Sequence, residues 1–389
     1  MEVSSEESLN KVQDIITREL GVEEDELQDA DVSFSQLGID PILGRVIVRK
    51  ISQELGLQLP EDVFQRFRNV GSFRQYIVNS PTPATKTTAT ATTTTKTTAE
   101  EAKTTPQLKT KTYAAIPVLI RGNPTKDSKN MFLLPDGSGS AMAYARLTAP
   151  APNCCLYSMH SPFLGDPGEY TCTVEELSAI WARGIQKIQP HGPYTLGGWS
   201  AGGYYAFEVM KYLQSEGEVV DKIILIDSPC RTKFETLPLD VVRYLSSHQL
   251  MGDKDTNQIP KWLIDHFEVT LRAVDRYKPT RMSVPVGTAP DAHIIWATDA
   301  VLPRGGAAQT GLDCDVKVTR FLLEQRIDLG PNGWETLFSG ASRIFIATMP
   351  GNHFNIVYKP YVSDEPPLLC FCIHGSKPKV STVEKGSKV

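Results

Sequence analysis

Long apolar runs are absent: no stretch of the 389 residues approaches the ~18 apolar residues needed to cross a bilayer, so no transmembrane helix is expected. The opening segment, MEVSSEESLNKVQDIITREL, has neither the basic start nor the apolar middle of a secretory signal. Positive charge is not in excess. A net charge of −5, a sequence pI of about 5.9 and the lack of any basic stripe give no electrostatic footprint for nucleic acid. The cysteines (Cys154, Cys155, Cys172, Cys230, Cys314, Cys370 and Cys372) are odd in number and pair with no histidine at zinc spacing. They form neither a disulfide framework nor a metal motif, and the expectation is a reduced, cytoplasmic protein without metal or redox cofactor. What is present, 41% hydrophobic and 22% charged residues, is ordinary for a globular chain.

Three segments differ in composition. In residues 1–79, Leu9, Val12, Ile15, Ile16 and Leu20 recur at helical spacing before Gly21. A second helical pattern starts near Pro41 with Ile42, Val46, Ile47 and Ile51, and a third covers Val63 to Val78. This predicts a small all-α bundle. Residues 80–112 are a Thr/Ala/Lys/Pro tract whose only large apolar side chain is Leu108. Such a tract buries too little surface to offset chain entropy and reads as a flexible linker. Residues 113–389 then alternate short apolar runs with helical patterns. Strands are expected at Asn130–Leu134, Asn153–Tyr157, Tyr194–Trp199, Lys222–Ile226, Ala292–Trp296 and Ser342–Ala347. Helices are expected at Val174–Ile188 and Gly203–Ser215. The pattern predicts an α/β fold, a mostly parallel sheet covered on both faces, with a helical lid at about 230–290.

The strongest local signal is Gly197-Gly198-Trp199-Ser200-Ala201-Gly202-Gly203, a G-x-S-x-G between an expected strand and an expected helix. This is the nucleophile elbow of an α/β hydrolase: a sharp turn, flanked by small residues, that holds a serine over a helix N-terminus. A serine needs a base, which in this fold follows it in the chain. That excludes His160 and His191. His293 lies inside an expected strand, and His248 and His266 lie in the lid, where surface positions are expected. His353, in the loop Pro350-Gly351-Asn352-His353-Phe354 beyond the last strand, is the candidate base, with His374 in the tail as its competitor. Asp227 and Asp299 each follow a strand and either can serve as the acid. The backbone N–H of Ala201 is one expected oxyanion donor. A second is expected near Gly137, in Pro135-Asp136-Gly137-Ser138-Gly139-Ser140. A phosphate cradle there would need a following Lys-Ser or Lys-Thr, which is missing.

The C-terminal two-thirds resembles the thioesterase domains of non-reducing fungal polyketide synthases. The matching stretches are Leu134–Ser140, Gly198–Gly203, Leu225-Ile226-Asp227-Ser228-Pro229-Cys230, Gly330-Pro331-Asn332-Gly333-Trp334 and Pro350–Phe354. The resemblance places the acid at Asp227, 27 residues after Ser200, and implies a substrate chamber shaped by the lid. Phe34-Ser35-Gln36-Leu37-Gly38-Ile39-Asp40-Pro41 resembles the acyl-carrier domain that precedes such thioesterases. There a serine directly after the aspartate receives phosphopantetheine, and here Pro41 takes that position. Proline suits the first position of a helix, so the fold can survive while the attachment is lost. A carrier-thioesterase tail standing alone is the expectation, with an atypical C-terminus in place of the family's closing helix.

The implied function is release, by hydrolysis or cyclisation, of a polyketide acyl chain held on a separate synthase, through an acyl-serine. The other readings are a non-catalytic docking protein for a synthase and a general esterase. No nucleic-acid or membrane partner is expected.

Overall fold

The computed structural model describes residues 5–20, 27–32, 34, 37, 39, 41–60, 63–67, 69–79, 113–148, 151–250, 261–283, 288–358, 361–362 and 369. The expected linker at 80–112, His374 and most of the C-terminal tail lie outside these residues.

The N-terminal unit contains helices α1 (Ser5–Leu20), α2 (Pro41–Leu55), α3 (Val63–Arg66) and α4 (Val70–Asn79). Val12, Ile15 and Ile16 of α1 face Ile47, Val48 and Ile51 of α2 in one apolar core with Phe34, Phe64 and Phe73. The three phenylalanine rings meet one another at centroid distances of 4.9, 5.3 and 5.2 Å, and each buried ring contributes on the order of 2 kcal/mol. The third helical pattern, expected as one helix, is two. Asn69 interrupts it: its Oδ1 accepts the Ser72 N–H at 3.0 Å and its carbonyl accepts the Ser72 hydroxyl at 2.8 Å, so it caps a new helix instead of continuing the old one. Pro41 opens α2, where no intrahelical N–H is required.

Residues 113 onward build a sheet of seven strands in the order β1-β3-β2-β4-β5-β6-β7. They are β1 (Ile116–Arg121), β2 (Lys129–Leu134), β3 (Cys154–His160), β4 (Tyr194–Trp199), β5 (Val220–Ile226), β6 (Asp291–Ala297) and β7 (Ile344–Met349). Among the described strands only β1 is antiparallel, paired with β3 at the edge. It was not foreseen as a strand, because it is half-exposed and carries Pro117 and Arg121, which blur the apolar run. The inner strands are buried on both faces, as a parallel sheet requires. Along β5, Ile223 and Leu225 enter one core while Ile224 and Ile226 enter the other, following the two-residue period of a strand. The first core is closed by α5 (Val174–Ile188) and α6 (Ala201–Ser215), through Leu177, Trp181, Tyr205 and Leu213. The second is closed by Tyr144, Leu147, Ile356 and Val357. This is an α/β-hydrolase sheet.

From β2 the chain steps outward to β3, then crosses back over β2 to β4 and continues outward in the other direction. The strand order therefore reverses between β2 and β4, the kind of switch point at whose strand C-termini ligands collect in open α/β sheets. Over this end lie α7 (Leu239–Ser247) and α8 (Lys261–Arg276), between β5 and β6. α7 shares an apolar cluster with Leu323 of α9 (Lys317–Leu323, between β6 and β7), with Val301, Leu302 and Leu312, and with Phe354. Among the described residues, no helix is long and apolar enough to cross a membrane.

Candidate active site

β4 ends at Trp199 and α6 begins at Ala201, leaving Ser200 alone to make the turn. Its φ of 56° lies in the left-handed region, which costs a non-glycine residue about 1–3 kcal/mol. Three hydrogen bonds hold it there. Its N–H donates to Ile226 O at 3.0 Å, and its carbonyl accepts from Gly203 N at 3.1 Å and from the Ser228 hydroxyl at 2.7 Å. The turn is so tight that a β-carbon at Gly198 would come within 2.2 Å of the Gly202 backbone, and one at Gly202 within 2.4 Å of Leu134 O. The first turn of α6 thus lies directly against Leu134-Pro135, bringing Ala201 and the loop 135–140 to the same end of β4. Beneath, the Tyr144 hydroxyl accepts the Trp199 N–H at 2.8 Å and donates to Leu134 O at 2.6 Å, tying the two strand ends together.

His353 Nε2 sits 3.0 Å from Ser200 Oγ, and its Nδ1 sits 2.8 Å from Asp227 Oδ2. Ser200, Asp227 and His353 are thereby joined in one hydrogen-bonded row, with Asp227 and His353 buried. Trp199 Nε1 donates to His353 O at 2.9 Å, fixing the loop that carries the imidazole. Asp299, the other aspartate weighed as acid, holds the same loop from outside: its Oδ2 accepts the Gly351 N–H at 2.9 Å.

Asp227 has a partner that sequence reasoning missed. Arg326, in the segment between α9 and β7, donates to both carboxylate oxygens, from Nη1 to Oδ1 and from Nη2 to Oδ2. Oδ1 also accepts the Ala297 N–H at 2.8 Å. Burial by itself would raise the pKa of this carboxyl, but the Arg326 charge and the hydrogen bonds from His353 and Arg326 outweigh it. Asp227 is held well below the usual carboxylate range. Nothing local in the sequence marks Arg326, since 99 residues separate it from Asp227.

The remaining histidines divide sharply. His191 and His248 are exposed. His293 is buried in β6 and stacks on Phe345 at 4.9 Å. His160 is buried at the end of β3, where its Nδ1 accepts the Ala141 N–H at 3.0 Å. His266 overturns the expectation of a surface position. Its face of α8 turns inward, it is 1% exposed, and its Nδ1 lies 3.1 Å from the carbonyl of Gly137. The next residue, Phe267, presses its ring against the same glycine, 2.4 Å from where a β-carbon would stand. Gly139, at φ +72°, faces the His266 ring in the same way, at 2.2 Å. The glycines of Pro135–Ser140 are thus needed for the close approach of α8. Inside the loop the Asp136 carboxylate accepts from the N–H and hydroxyl of Ser138. Burial pushes Asp136 up to about 6 against those two bonds, and burial pushes His266 down to about 4.

The stretch Gly330–Trp334 supports the site from below. Trp334 Nε1 donates to Ser228 O at 2.8 Å, and Trp296 Nε1 donates to Gly330 O at 2.9 Å. Among the described residues, no group of three or more His, Cys, Asp or Glu could hold a metal ion.

Residues 129–239 match the thioesterase domain family, and residues 10–77 match the phosphopantetheine attachment site family. Across almost the whole chain there are curated relatives. The non-reducing polyketide synthase terA of Aspergillus terreus is 33% identical over 94% of this chain and 18% of its own length. The synthase Preu8 of Preussia isomera is 31% identical over 92% and 17%, and the conidial yellow pigment biosynthesis polyketide synthase of Emericella nidulans is 33% identical over 90% and 17%. The chain is homologous to the carrier-plus-thioesterase region of non-reducing polyketide synthases. It spans under a fifth of the length of these relatives. Among solved structures, the NocB thioesterase domain aligns at 17% identity and a TM-score of 0.44, covering 64% of this chain and 95% of that one. In the carrier-like unit, Phe34, Leu37 and Ile39 are buried in the core and Pro41 is the first residue of α2.

Proposed function

We propose that this chain is a serine thioesterase that releases a polyketide acyl chain from the phosphopantetheine arm of a carrier domain other than residues 1–79. The hydrogen-bonded row Ser200–His353–Asp227 carries the reading. His353 Nε2 takes the Ser200 proton as Oγ attacks the thioester carbonyl. The oxyanion forms beside the backbone N–H groups of Ala201 and of the loop at Gly137. The thiol of the arm leaves with the proton from His353, and the acyl group stays on Ser200. Water, or a nucleophilic carbon or oxygen of the acyl chain itself, then displaces Ser200 and gives a free acid, a Claisen product or a lactone.

The carrier assignment rests on Pro41. The neighbouring unit offers no hydroxyl at the attachment position, so the acyl group must arrive on a different carrier. A separate polyketide synthase fits that role. Two measurements test the proposal. An active-site fluorophosphonate labels the wild-type chain and not Ser200→Ala; labelling that survives in Ser200→Ala refutes the serine mechanism. A synthetic acyl thioester is turned over, with the product separating the two outcomes: free acid for hydrolysis, cyclised ketone or lactone for cyclisation.

A further inference from the structure

Arg326 is placed differently from an ordinary structural arginine. Its side chain is 2% exposed and that of Asp227 is 0% exposed, while the neighbouring Ile327 stands in solvent. The guanidinium carbon lies over the Phe321 ring, 4.4 Å from its centroid. Nε donates to Phe321 O at 2.8 Å and Nη1 to Ala297 O at 3.0 Å. The remaining donors form the two-pronged contact with Asp227. Arginine suits this work because its fork matches both carboxylate oxygens in one plane.

Two consequences follow from the atoms involved. Arg326 Nη2, at 2.7 Å, and His353 Nδ1, at 2.8 Å, share Asp227 Oδ2, while Ala297 N and Nη1 occupy Oδ1. The carboxylate has no freedom to rotate, so the imidazole is aimed by a fixed acceptor. The second consequence is electrostatic. A buried, uncompensated aspartate draws a proton onto a neighbouring imidazole, and a protonated imidazole cannot accept the serine proton. Here the aspartate already has a buried counter-charge. Beside the row, Arg326 from the segment before β7 is the charged partner of Asp227, and Asp299 holds the backbone of the His353 loop at Gly351.

We infer that Arg326 is a positioning residue for the proposed serine chemistry: it fixes the Asp227 carboxylate through both oxygens and offsets its buried charge, so that His353 meets a compensated acceptor and serves as a base. The inference rests on the serine thioesterase reading, so the wild type and Ser200→Ala are compared first with the fluorophosphonate. If labelling does not depend on Ser200, that reading fails by itself. With labelling established, the second-order inactivation rate is followed against pH for Arg326→Met, Arg326→Gln and Arg326→Lys, with melting temperatures as a check of folding. In the folded neutral variants the acid limb of the profile moves upward by roughly one pH unit. In Arg326→Lys, which keeps the charge and loses the fork, the limb stays at the wild-type position while the plateau rate falls about tenfold. An unmoved limb in a folded neutral variant overturns the electrostatic role. If neither neutral variant folds, Arg326→Lys decides: a wild-type limb with a lowered plateau supports the inference, and an upward-shifted limb or a wild-type plateau overturns it.

Discussion

Asp136 and His266 are displaced from their ordinary acidities in opposite directions at the same loop, and the signs have separate consequences. His266 is held near 4 in the folded chain, against about 6.5 for a free imidazole. Between those values the unfolded chain takes a proton and the folded chain does not, so this contribution to stability is lost as pH falls from 6.5 toward 4. Asp136 is held near 6, against about 3.9 when unfolded. Between those values the folded chain holds the extra proton, so this contribution grows as pH falls. The two nearly offset each other, and replacing either one exposes the other. His266→Asn keeps a donor for Gly137 O and removes the titration. Relative to wild type it gains roughly 1–2 kcal/mol on going from pH 7 to pH 5, whereas Asp136→Asn loses a similar amount. Urea midpoints at the two pH values check both signs. Gly139→Ala tests the same contact by size. At φ +72°, with the His266 ring 2.2 Å from the new methyl, it displaces α8 from the loop and lowers the acyl-thioester rate by tenfold or more, on the order expected when an oxyanion donor is mispositioned.

At the scale of elements, α5 shows how far local signals reach. Thr173 accepts the Glu176 N–H at 3.2 Å and Glu176 returns a bond to the Thr173 N–H at 2.8 Å, a complete capping box. Leu177, Trp181 and Ile185 then face the sheet at helical spacing. Thr173→Ala removes half of that box and is expected to cost about 1 kcal/mol in denaturant unfolding without touching the site. Because both signals are short-range, the span Val174–Ile188 is legible in the sequence, as are β4 and the elbow. The three residues of the row are legible too, Ser200 from its turn and His353 from its place after the last strand. Asp227 needed the family resemblance, since Asp299 fits the same local pattern. Other features depend on contacts that no window contains. The periodicity of α8 does not say which face meets the loop at Gly137, so His266 reads as a surface residue. Arg326 lies in a stretch with no motif, and β1 is hidden because an edge strand buries only part of one face.

For the whole molecule, the pairing of two family matches poses a problem that only chemistry resolves. Residues 10–77 match the phosphopantetheine attachment family, their core is intact, and yet the helix that should open on the modified serine opens on Pro41. Proline's tertiary nitrogen and closed ring offer no nucleophile, while its fixed φ suits the first helical position. The bundle is therefore expected to fold without carrying the arm. Incubated with coenzyme A and a phosphopantetheinyl transferase, the full chain is expected to show no mass increase. Pro41→Ser restores a hydroxyl at the start of α2 with little effect on helix stability, because neither residue there owes an intrahelical hydrogen bond. That variant is expected to gain the mass of one phosphopantetheine arm, located by peptide mapping to residue 41. An adduct on the wild-type bundle would show a different attachment residue and would remove the reason for bringing the acyl chain from another carrier. If Pro41→Ser stays unmodified, more than the serine has been lost, and the bundle's transferase-binding surface has changed as well.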